Sequence, residues 1–487
     1  MDVNNGLRDP STIFYQHVNV RRAVIASYWI VLFLAMPLWW KTTSIERLSL
    51  PTSEVNAQAG QELKIPVKIA LDDSFSKHEP HFRSELQTLL QRTADGTLDI
   101  QVTEQNSAGE VYEVLPSGSG VSVEERRLMH PVQDATLLTR FAATKLADTL
   151  SSLFIPSNHQ DHRMAQYASR YRLSFTLLNE DASGGQVITG WDVSRAISGH
   201  IKPILSALSV LHNFTIESQV QYYAPLAFEP KQLPEENRYG LTPEDLTVFI
   251  NSAEWTLSSS SSNDPVLHFV LFVPSANRRP LTILNAGGKP SGSNAFLIPQ
   301  WGGIVIADLP DLPSEMKLPA SQLASAFSAF SQQLLTLLGV PRLPAGISST
   351  SALTPWQIDA LLRQRTSENI ARTRDTLRST VSLVEQIENM PVGEKVRDDV
   401  QDALKTLGSL WNFDEMSSSS LRSTLQRSGR ALTLSQRAFF HPGMLALLYF
   451  PAEHKYAVYT PLFVSATIPM LAGALREIIA WKRQRRQ

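Results

Sequence analysis

The sequence predicts a lumenal α/β domain, built on a mixed sheet covered by helices, with a helical C-terminal part and a transmembrane helix at each end. Three observations predict this fold class. Two long uncharged apolar segments lie near the termini, apolar strands alternate with helical patterns between them, and helical periodicity continues from Pro319 onward. The chain has 487 residues, which is enough for two or three packed units.

The composition excludes several classes of protein. A hydrophobic fraction of 43% is that of a folded chain, and the absence of cysteine excludes a thiol nucleophile, disulfide bonds and cysteine-ligated zinc. The net charge of −2 is unevenly distributed, with +2 on residues 1–41, +4 on residues 456–487 and −8 on the residues between them. Basic ends around an acidic middle argue against binding to nucleic acid.

The first apolar segment, 23–40, has 18 residues without a charge and ends in Trp39 and Trp40. As a helix it covers about 27 Å, close to the hydrocarbon thickness of a bilayer. A cleaved signal peptide has a shorter apolar stretch and ends at small residues, and a buried core helix is the other alternative. We predict a transmembrane helix, preceded by a cytosolic N-terminus at 1–22 and followed by a polar stalk at 41–60.

The second apolar segment, 456–475, contains Pro461, Pro469 and Gly473, so a buried helix of a soluble domain stays an alternative. The basic tail at 476–487 favours a second transmembrane helix, because such clusters stay in the cytosol. Arg21 and Arg22 precede the first helix, so both termini are predicted to be cytosolic. The residues between the two helices then lie on the other side of the membrane.

Residues 61–345 are predicted to form the α/β domain. Residues 97–103 alternate as a half-buried strand does, whereas 171–178, 266–273 and 302–307 are nearly continuous apolar runs, typical of a sheet covered on both faces. A helix opening at Asp192 links the strand at 171–178 to a returning strand at 214–223. Pro203 is expected to kink this helix or tighten it locally.

Residues 346–455 are predicted to be a lumenal helical region. The apolar spacing predicts helices over 355–390 and 393–411, broken at Pro391, after an earlier helix that ends at Gly339. The serine runs at 258–262 and 417–420 are typical of flexible loops.

The search for metal-binding and catalytic patterns gives little. His78 with His81, and His159 with His162 around Asp161, have a spacing that can serve a metal, but no third ligand accompanies either pair. Ser119 lies between Gly118 and Gly120, yet Ser117 replaces the first glycine of a nucleophile elbow. The glycine-rich run 287–292 leads into a strand rather than a helix, which favours a β–β connection over a phosphate loop. No catalytic, metal or cofactor residue is predicted.

One glycosylation sequon is present, Asn213-Phe214-Thr215, in the predicted lumenal part. A single sequon occurs easily by chance, so it is weak evidence by itself.

Four stretches resemble a known family. The first is RRAVIASYWIVLFLAMPLWWKTTSIERLSLP, which ends at Pro51. The second is YRLSFTLLN at 171–179 with Trp191-Asp192 and the strand at 213–223, and the third runs from Phe272-Val-Pro-Ser to Trp301-Gly-Gly-Ile. The fourth is Phe439-Phe-His-Pro leading through Tyr449-Phe-Pro into the second apolar segment. In their order and two-pass topology, they are similar to the PIG-S family, a subunit of the GPI transamidase complex.

The resemblance implies a non-catalytic scaffold in the endoplasmic reticulum membrane, within a complex that attaches GPI anchors to the C-terminus of proproteins. It implies PIG-K-like, PIG-T-like, PIG-U-like and GAA1-like partner subunits, with the catalytic cysteine in the PIG-K-like chain, and contact with the GPI lipid and the proprotein through the complex. The family also carries a sequon at the start of this strand, which favours glycosylation of Asn213.

Two alternatives remain open from the sequence. One is a stand-alone membrane-anchored lumenal hydrolase or transferase, which would need a convergent cluster of acid, base or metal-binding groups. The other is a lumenal cargo receptor, which association with a cysteine-protease-like subunit would separate from the scaffold.

Overall fold

The structure, a computed structural model, describes residues 17–43, 46–61, 63–76, 81–93, 98–103, 110–118, 120–131, 140–155, 165, 167–183, 187–233, 238–255, 257, 263–307, 315–387, 390–411, 420–445 and 452–486. The chain divides into two compact units. Unit 1 comprises Met1–Gly60, Ile370–Leu407 and Arg430–Gln487, and unit 2 comprises Gln61–Asn369 and Gly408–Gly429.

The helices are, in chain order, α1 Val18–Thr43, α2 Thr52–Ala57, α3 Asp73–Ser76, α4 Phe82–Thr93, α5 Arg140–Phe154, α6 Val193–Ala196, α7 Lys202–Leu208, α8 Pro243–Thr247, α9 Ala320–Leu337, α10 Pro355–Gln386, α11 Glu394–Trp411, α12 Leu421–Phe439, α13 Pro442–Leu445 and α14 Ala452–Gln484.

The strands are β1 Ile65–Leu71, β2 Leu98–Thr103, β3 Val111–Ser117, β4 Val121–Glu124, β5 Arg127–Pro131, β6 Arg170–Asn179, β7 Val187–Trp191, β8 Asn213–Gln221, β9 Lys231–Leu233, β10 Arg238–Leu241, β11 Val266–Val273, β12 Leu281–Ile283, β13 Ala295–Ile298, β14 Gly302–Ile306, β15 Glu315–Leu318 and β16 Ile347–Ser349.

The first large sheet of unit 2 has six strands in the order β16-β4-β5-β3-β1-β2, parallel except for the β4–β5 hairpin. Its strands alternate as the sequence predicts for 97–103. Ile69 and Ile100 are buried against α4 and α5, whereas Lys68, Gln101 and Glu113 on the opposite face are half-buried. One face of this sheet therefore carries most of its apolar core.

The second large sheet has five strands in the order β13-β14-β11-β6-β8, parallel except for β13 against β14. Its central strands are buried on both faces. On one face Phe175 stacks on Phe269 and on Phe327 of α9, with centroid distances of 5.2 and 5.6 Å. On the other face Phe272 packs on Phe249 and Trp255.

The two faces of this sheet are covered by different kinds of structure. Helices α6, α7 and α9 cover the first face. The second face is covered by the segment that carries α8 and the small sheet of β9, β10 and β12. The predicted cover of helices therefore holds for one face, because the chain between β8 and β11 forms short strands and turns instead of a long helix.

Two adjacent glycines of β14 allow close approaches, Gly302 to β11 and Gly303 to α9. A Cβ on Gly302 would lie 1.9 Å from the carbonyl oxygen of His268 on β11, and φ at Gly302 is 153°. A Cβ on Gly303 would lie 2.0 Å from Oε1 of Gln333. The amide of Gln333 donates instead to the carbonyl oxygens of Phe296 and Ile304, at 2.8 and 3.2 Å, and so ties α9 to β13 and β14.

The helix that follows β7 opens after Asp192 and has a π-helical turn at Ile197–Ile201 before α7. Pro203 has no N–H to donate to the carbonyl group four residues earlier, which accounts for a distorted turn at this place. The distortion is thus a widening of the helix, rather than a tightening.

Unit 1 is helical, as the sequence predicts for the C-terminal part. The last turns of α10 bury Leu377, Val381 and Val384, and α11 buries Val396 and Val400. The segment predicted as a polar stalk contains α2, whose Val55 is buried, and a β-bridge between Arg47 and Val392. Arg47 Nη2 also donates to the carbonyl oxygen of Val384 at 2.7 Å.

A mixed α/β architecture, a helical C-terminal region and two apolar helices near the termini are thus confirmed. The sequence predicted one mixed sheet, whereas unit 2 has two large ones.

Candidate membrane and subunit interface sites

Two helices in the described part of the chain are long and apolar enough to cross a membrane, over Asn19–Lys41 in α1 and Ala457–Arg483 in α14. Their apolar side chains are exposed, with Leu34 74% and Trp40 69% accessible. Exposed apolar surface of this extent requires lipid or other protein around it. The two helices are therefore candidate membrane spans.

Helices α1 and α14 are antiparallel. At one end the guanidinium groups of Arg21 and Arg22 both lie 2.8 Å from the carboxylate of Glu477. At the other end Trp39 meets Phe463 and Tyr459 edge to face, with centroid distances of 5.3 and 6.2 Å. The start of α1 and the end of α14 thus lie together, as two crossings with both termini on one side require.

The five-stranded sheet has a topological switch point between β6 and β11. Along the chain, β6 leads to β8 on one side of the sheet, and β11 leads to β14 on the other side. In open α/β sheets, ligands bind in the crevice outside the carboxyl ends of the strands at such a point. A ligand of this sheet would therefore be expected in the crevice between β6 and β11.

In this protein the crevice is filled by the chain itself. Glu180, 3% exposed, follows β6, and its carboxylate accepts a hydrogen bond from the backbone N–H of Ser275 at 2.8 Å. It also pairs with the guanidinium group of Arg278, which in turn lies 2.6 Å from Glu229. Burial lowers the pKa of Arg278, but the charges of Glu180 and Glu229 and the hydrogen bonds to them together raise it above its usual range. The guanidinium group therefore stays charged, and the pair closes the crevice.

Asn179, the last residue of β6, completes this closure. Its buried amide donates to the carbonyl oxygens of Ile188 and Gln221 at 3.0 and 3.2 Å, and its Oδ1 accepts from the N–H of Ile188 at 3.1 Å. Both polar atoms of the Asn179 side chain thus form hydrogen bonds within the protein.

A second buried polar cluster joins the six-stranded sheet to α10. The carboxylate of Asp359 accepts hydrogen bonds from Tyr112 Oη at 2.8 Å and from Arg126 Nε and Nη2 at 2.9 and 3.2 Å. Arg363 donates to Tyr112 Oη at 3.1 Å. Burial raises the pKa of the Tyr112 hydroxyl, so this group stays protonated.

Arg126 of this cluster is also held in its charged form. Burial alone would lower the pKa of Arg126, but its hydrogen bonds to Asp359 and the charge of that carboxylate raise it. The cluster attaches the β4–β5 turn to the first turns of α10, and its acid and base groups are directed at one another. It stabilises the structure and offers no free general acid or base.

Asn213, the predicted glycosylation residue, is the exposed first residue of β8. Strand β8 is an edge of the five-stranded sheet, so the side chain of Asn213 is accessible at the border of this unit. Tyr222 and Tyr223, 49% and 62% exposed, follow the other end of the strand. The accessible position of Asn213 is compatible with a glycan.

Of the predicted histidine pairs, the structure describes only His81, which is exposed. His78, His159, Asp161 and His162 lie outside the described residues, as do Ser119 and the serine runs apart from Ser420. Among the residues that are described, no three His, Asp or Glu side chains are placed to hold a metal ion.

The glycine-rich run 287–292 connects β12 to β13, which confirms the predicted β–β connection. Backbone N–H groups of Gly287 and Lys289 donate to Asn285 Oδ1 at 2.9 and 3.1 Å. These donors are therefore already used within the turn and do not form a phosphate cradle.

Sequence reasoning missed Glu180, Arg278 and Asp359. For the first two a signal exists, because opposite charges follow the carboxyl ends of two apolar strands that pair in parallel. For Asp359 no local signal exists, since Tyr112 and Arg126 are more than 200 residues away along the chain.

Comparison with known proteins assigns these features to a family. The family model for phosphatidylinositol-glycan biosynthesis class S protein, PIG-S, matches residues 26–484. The GPI-anchor transamidase component PIGS of Rattus norvegicus is 29% identical, over 96% of this chain and 97% of its own length. The Homo sapiens protein of the same name is 28% identical, over 96% of each chain. The GPI transamidase component PIG-S homolog of Schizosaccharomyces pombe is 28% identical, over 96% of this chain and 86% of its own.

Proposed function

The chain belongs to the PIG-S family, and from this membership we propose that it is a non-catalytic scaffold subunit of the GPI transamidase complex. The observation that carries the proposal is the family match over residues 26–484, together with relatives named as components of that transamidase. In this role the protein supports attachment of GPI anchors to the C-terminus of proproteins.

The interior of unit 2 supports a role without chemistry. The crevice where α/β sheets of this topology bind ligands is occupied by Glu180 and Arg278, and the acid and base groups around Asp359 are bonded to one another. The chain also has no cysteine, so it cannot form a thioester by itself. The acyl transfer is assigned to a PIG-K-like subunit that carries the catalytic cysteine.

The proposed topology has two crossings of the endoplasmic reticulum membrane with both termini in the cytosol. Residues 23–40 and 456–475 cross the bilayer, 1–22 and 476–487 are cytosolic, and 41–60, 61–345 and 346–455 are the lumenal stalk, α/β domain and helical region. The antiparallel pairing of α1 with α14 supports two crossings of opposite direction. The basic residues after α14 support its orientation.

The scaffold is proposed to work with PIG-K-like, PIG-T-like, PIG-U-like and GAA1-like subunits. It would hold the catalytic subunit near the bilayer, where the GPI amine and the proprotein must meet. Positioning of this kind lowers a reaction barrier by several kcal/mol, without any contact between scaffold and substrate.

The first experiment is purification of the tagged full-length protein in a mild detergent, followed by mass spectrometry of the proteins that co-elute. We expect PIG-K-like and PIG-T-like chains in comparable amounts. Elution as a single folded chain would contradict the scaffold and would return attention to the hydrolase, transferase or cargo receptor.

A second experiment tests whether the crevice of unit 2 takes part in the reaction. In cells that lack the endogenous subunit, an Arg278→Gln variant opens the crevice. Expression of a GPI-anchored reporter at the cell surface is then divided by the amount of assembled complex. We expect this ratio to equal that of the wild type, because Arg278 has no role in the reaction. A lower ratio with normal assembly would contradict the non-catalytic assignment.

We also propose that Asn213 carries an N-linked glycan. Asn213→Gln and Thr215→Ala should both abolish the gel shift that an endoglycosidase produces in the wild-type protein. Ser218→Ala, on the same exposed edge strand, is the control and should leave the shift unchanged. A shift that persists in both sequon variants would contradict the assignment to Asn213, and a wild-type protein without a shift would contradict glycosylation altogether.

A further inference from the structure

A groove opens between the start of α1 and the end of α14. It is shallow and open to its surroundings, has a volume of about 340 Å³, and is lined by Arg22, Ile25 and Ala26 of α1 and by Ala474, Glu477, Ile478 and Trp481 of α14. The volume is within the range of roughly 300–1,000 Å³ that small-molecule sites occupy. Four of the seven lining residues are aliphatic, so the floor of the groove is apolar.

The charges at the mouth of this groove are unequal. Glu477 is the acidic residue of the groove, and it is shared by Arg21 and Arg22. At the start of α1, one negative charge therefore faces two positive charges. The basic residues at the end of α14 add to this excess. Lys482, Arg483, Arg485 and Arg486 follow and are exposed.

Helical geometry places some of these basic residues at the groove and others away from it. Arg485 follows Ala474 by about three turns and lies on the same face, and its guanidinium carbon is 4.2 Å from the centre of the Trp481 ring. Lys482 follows Ile478 by one turn. Arg476 and Arg483 lie about half a turn away from Ala474, on the opposite face.

From this arrangement we propose that the groove binds one anionic phospholipid of the cytosolic leaflet. An acyl chain lies along Ile25, Ala26, Ala474 and Ile478, and the phosphate and its anionic substituent lie against Arg22, Lys482 and Arg485. Tryptophan at the level of the headgroups and basic pockets between transmembrane helices are both features of lipid sites. The inference rests on the proposed two-pass topology.

A phospholipid fits this groove better than a soluble anion. The apolar walls continue along two exposed apolar helices, so an acyl chain can enter sideways from the bilayer. A zwitterionic lipid would bring no net negative charge to balance the positive charges of Lys482 and Arg485. The groove therefore selects for net negative charge in the headgroup.

The test uses the full-length protein in nanodiscs that contain equal amounts of phosphatidylcholine and phosphatidylserine, and native mass spectrometry counts the lipids that stay bound. We expect one retained phosphatidylserine, enriched at least about fivefold over phosphatidylcholine, because each basic residue near a membrane surface adds roughly that factor. Retention of both lipids in equal amounts would overturn the inference.

Two matched pairs of substitutions locate the site. Lys482→Gln with Arg485→Gln removes two charges from the groove face, and Arg476→Gln with Arg483→Gln removes two charges from the opposite face. We expect the first pair to abolish the enrichment and the second to keep it. An equal decrease in both variants would indicate diffuse attraction to a basic tail, and no decrease in the first would exclude the groove.

Ala474→Leu provides a test that leaves every charge in place. The larger side chain fills the apolar floor, so we expect the retained lipid to be lost although the tail is unchanged. A result that contradicts the lipid site can be told apart from a result that contradicts the proposed function. Co-purification of transamidase subunits without lipid enrichment would overturn only the lipid site, and lipid enrichment without partners would overturn only the scaffold.

Discussion

The two large sheets of unit 2 are stabilised in different ways. The five-stranded sheet is buried on both faces, and aromatic side chains such as Phe175 and Phe272 fill its core. The six-stranded sheet has its apolar core on one face, and a polar cluster around Asp359 attaches its hairpin to α10. The first sheet thus depends on close packing on both faces, whereas the second combines an apolar core on one face with a partly buried ion pair.

Helix α10 connects the two kinds of packing. Its Trp356 belongs to the core of the six-stranded sheet, with its ring 4.5 Å from Tyr112, whereas Leu361 and Leu362 belong to the core of the five-stranded sheet. One short stretch of helix therefore contributes to both cores.

The largest expected effect comes from a glycine of the five-stranded sheet. Gly302→Ala places a Cβ 1.9 Å from the carbonyl oxygen of His268, in the neighbouring strand, so β14 and β11 cannot keep their pairing. We expect a loss of about 3–5 kcal/mol in local stability. Hydrogen exchange of residues 295–306 in the full-length protein measures it.

The matched control is Gly118→Ala, at the end of β3 in the six-stranded sheet, where a Cβ meets no atom within 4 Å. Its exchange rates should stay within the error of the wild type. Equal protection of 295–306 in the Gly302→Ala variant and the wild type would contradict the packing argument.

A smaller effect is expected from the polar cluster of the six-stranded sheet. Asp359→Asn removes the nearer of the two carboxylates that face Arg126 and leaves its partly buried guanidinium group with Glu110 alone, at 3.6 Å. Breaking such a pair from one side destabilises a protein by about 2–4 kcal/mol. Hydrogen exchange should increase in the β3–β5 region and in the first turns of α10.

The neighbouring arginine provides the control. Arg127 pairs with Glu113 at 2.9 Å, but the side chain of Arg127 is 57% exposed and that of Glu113 is 35% exposed. Glu113→Gln should change local stability by less than about 0.5 kcal/mol, since exposed pairs contribute little. If the two substitutions have equal effects, then Asp359 is not the anchor of the hairpin.

The two sheets also differ in how well the sequence predicts them. Strong, regular apolar patterns are found in four elements, and the predictions for them are confirmed. These are strands 170–179 and 266–273 and helices 320–337 and 394–411. The hairpin of β4 and β5 was missed, because its turn is Glu125-Arg126, with φ of 48° at Glu125, where a turn of this kind favours Asn or Gly. Periodicity also carries no information on pairing, so the joining of β16 to β4 could not be foreseen.

The candidate sites divide in a similar way. Asn213 and the two apolar helices are read directly from short segments, and the structure describes both helices and an exposed Asn213. The Glu180–Arg278 pair and the cluster around Asp359 depend on contacts between segments far apart in the chain. Such contacts follow from the pairing of strands, which a local pattern does not determine.

The smallest expected effect is a pH dependence that separates the two sheets. His268 of β11 stacks on Trp301 at 4.9 Å, and burial lowers its pKa to about 4. As the pH falls below about 6.5, the unfolded chain takes up a proton that the folded chain does not, so stability is present above pH 6.5 and is lost between 6.5 and 4. The loss at pH 5 is about 2 kcal/mol.

The variant His268→Phe keeps the stacked ring and removes the titration. Its melting temperature in detergent should therefore fall less between pH 7 and pH 5 than that of the wild type. His130 in β5 serves as the comparison within the six-stranded sheet, because burial lowers its pKa while its hydrogen bond to the Pro131 carbonyl opposes that shift. His130→Phe should change the pH dependence less than His268→Phe, and the reverse order would show that the six-stranded sheet is the acid-sensitive one.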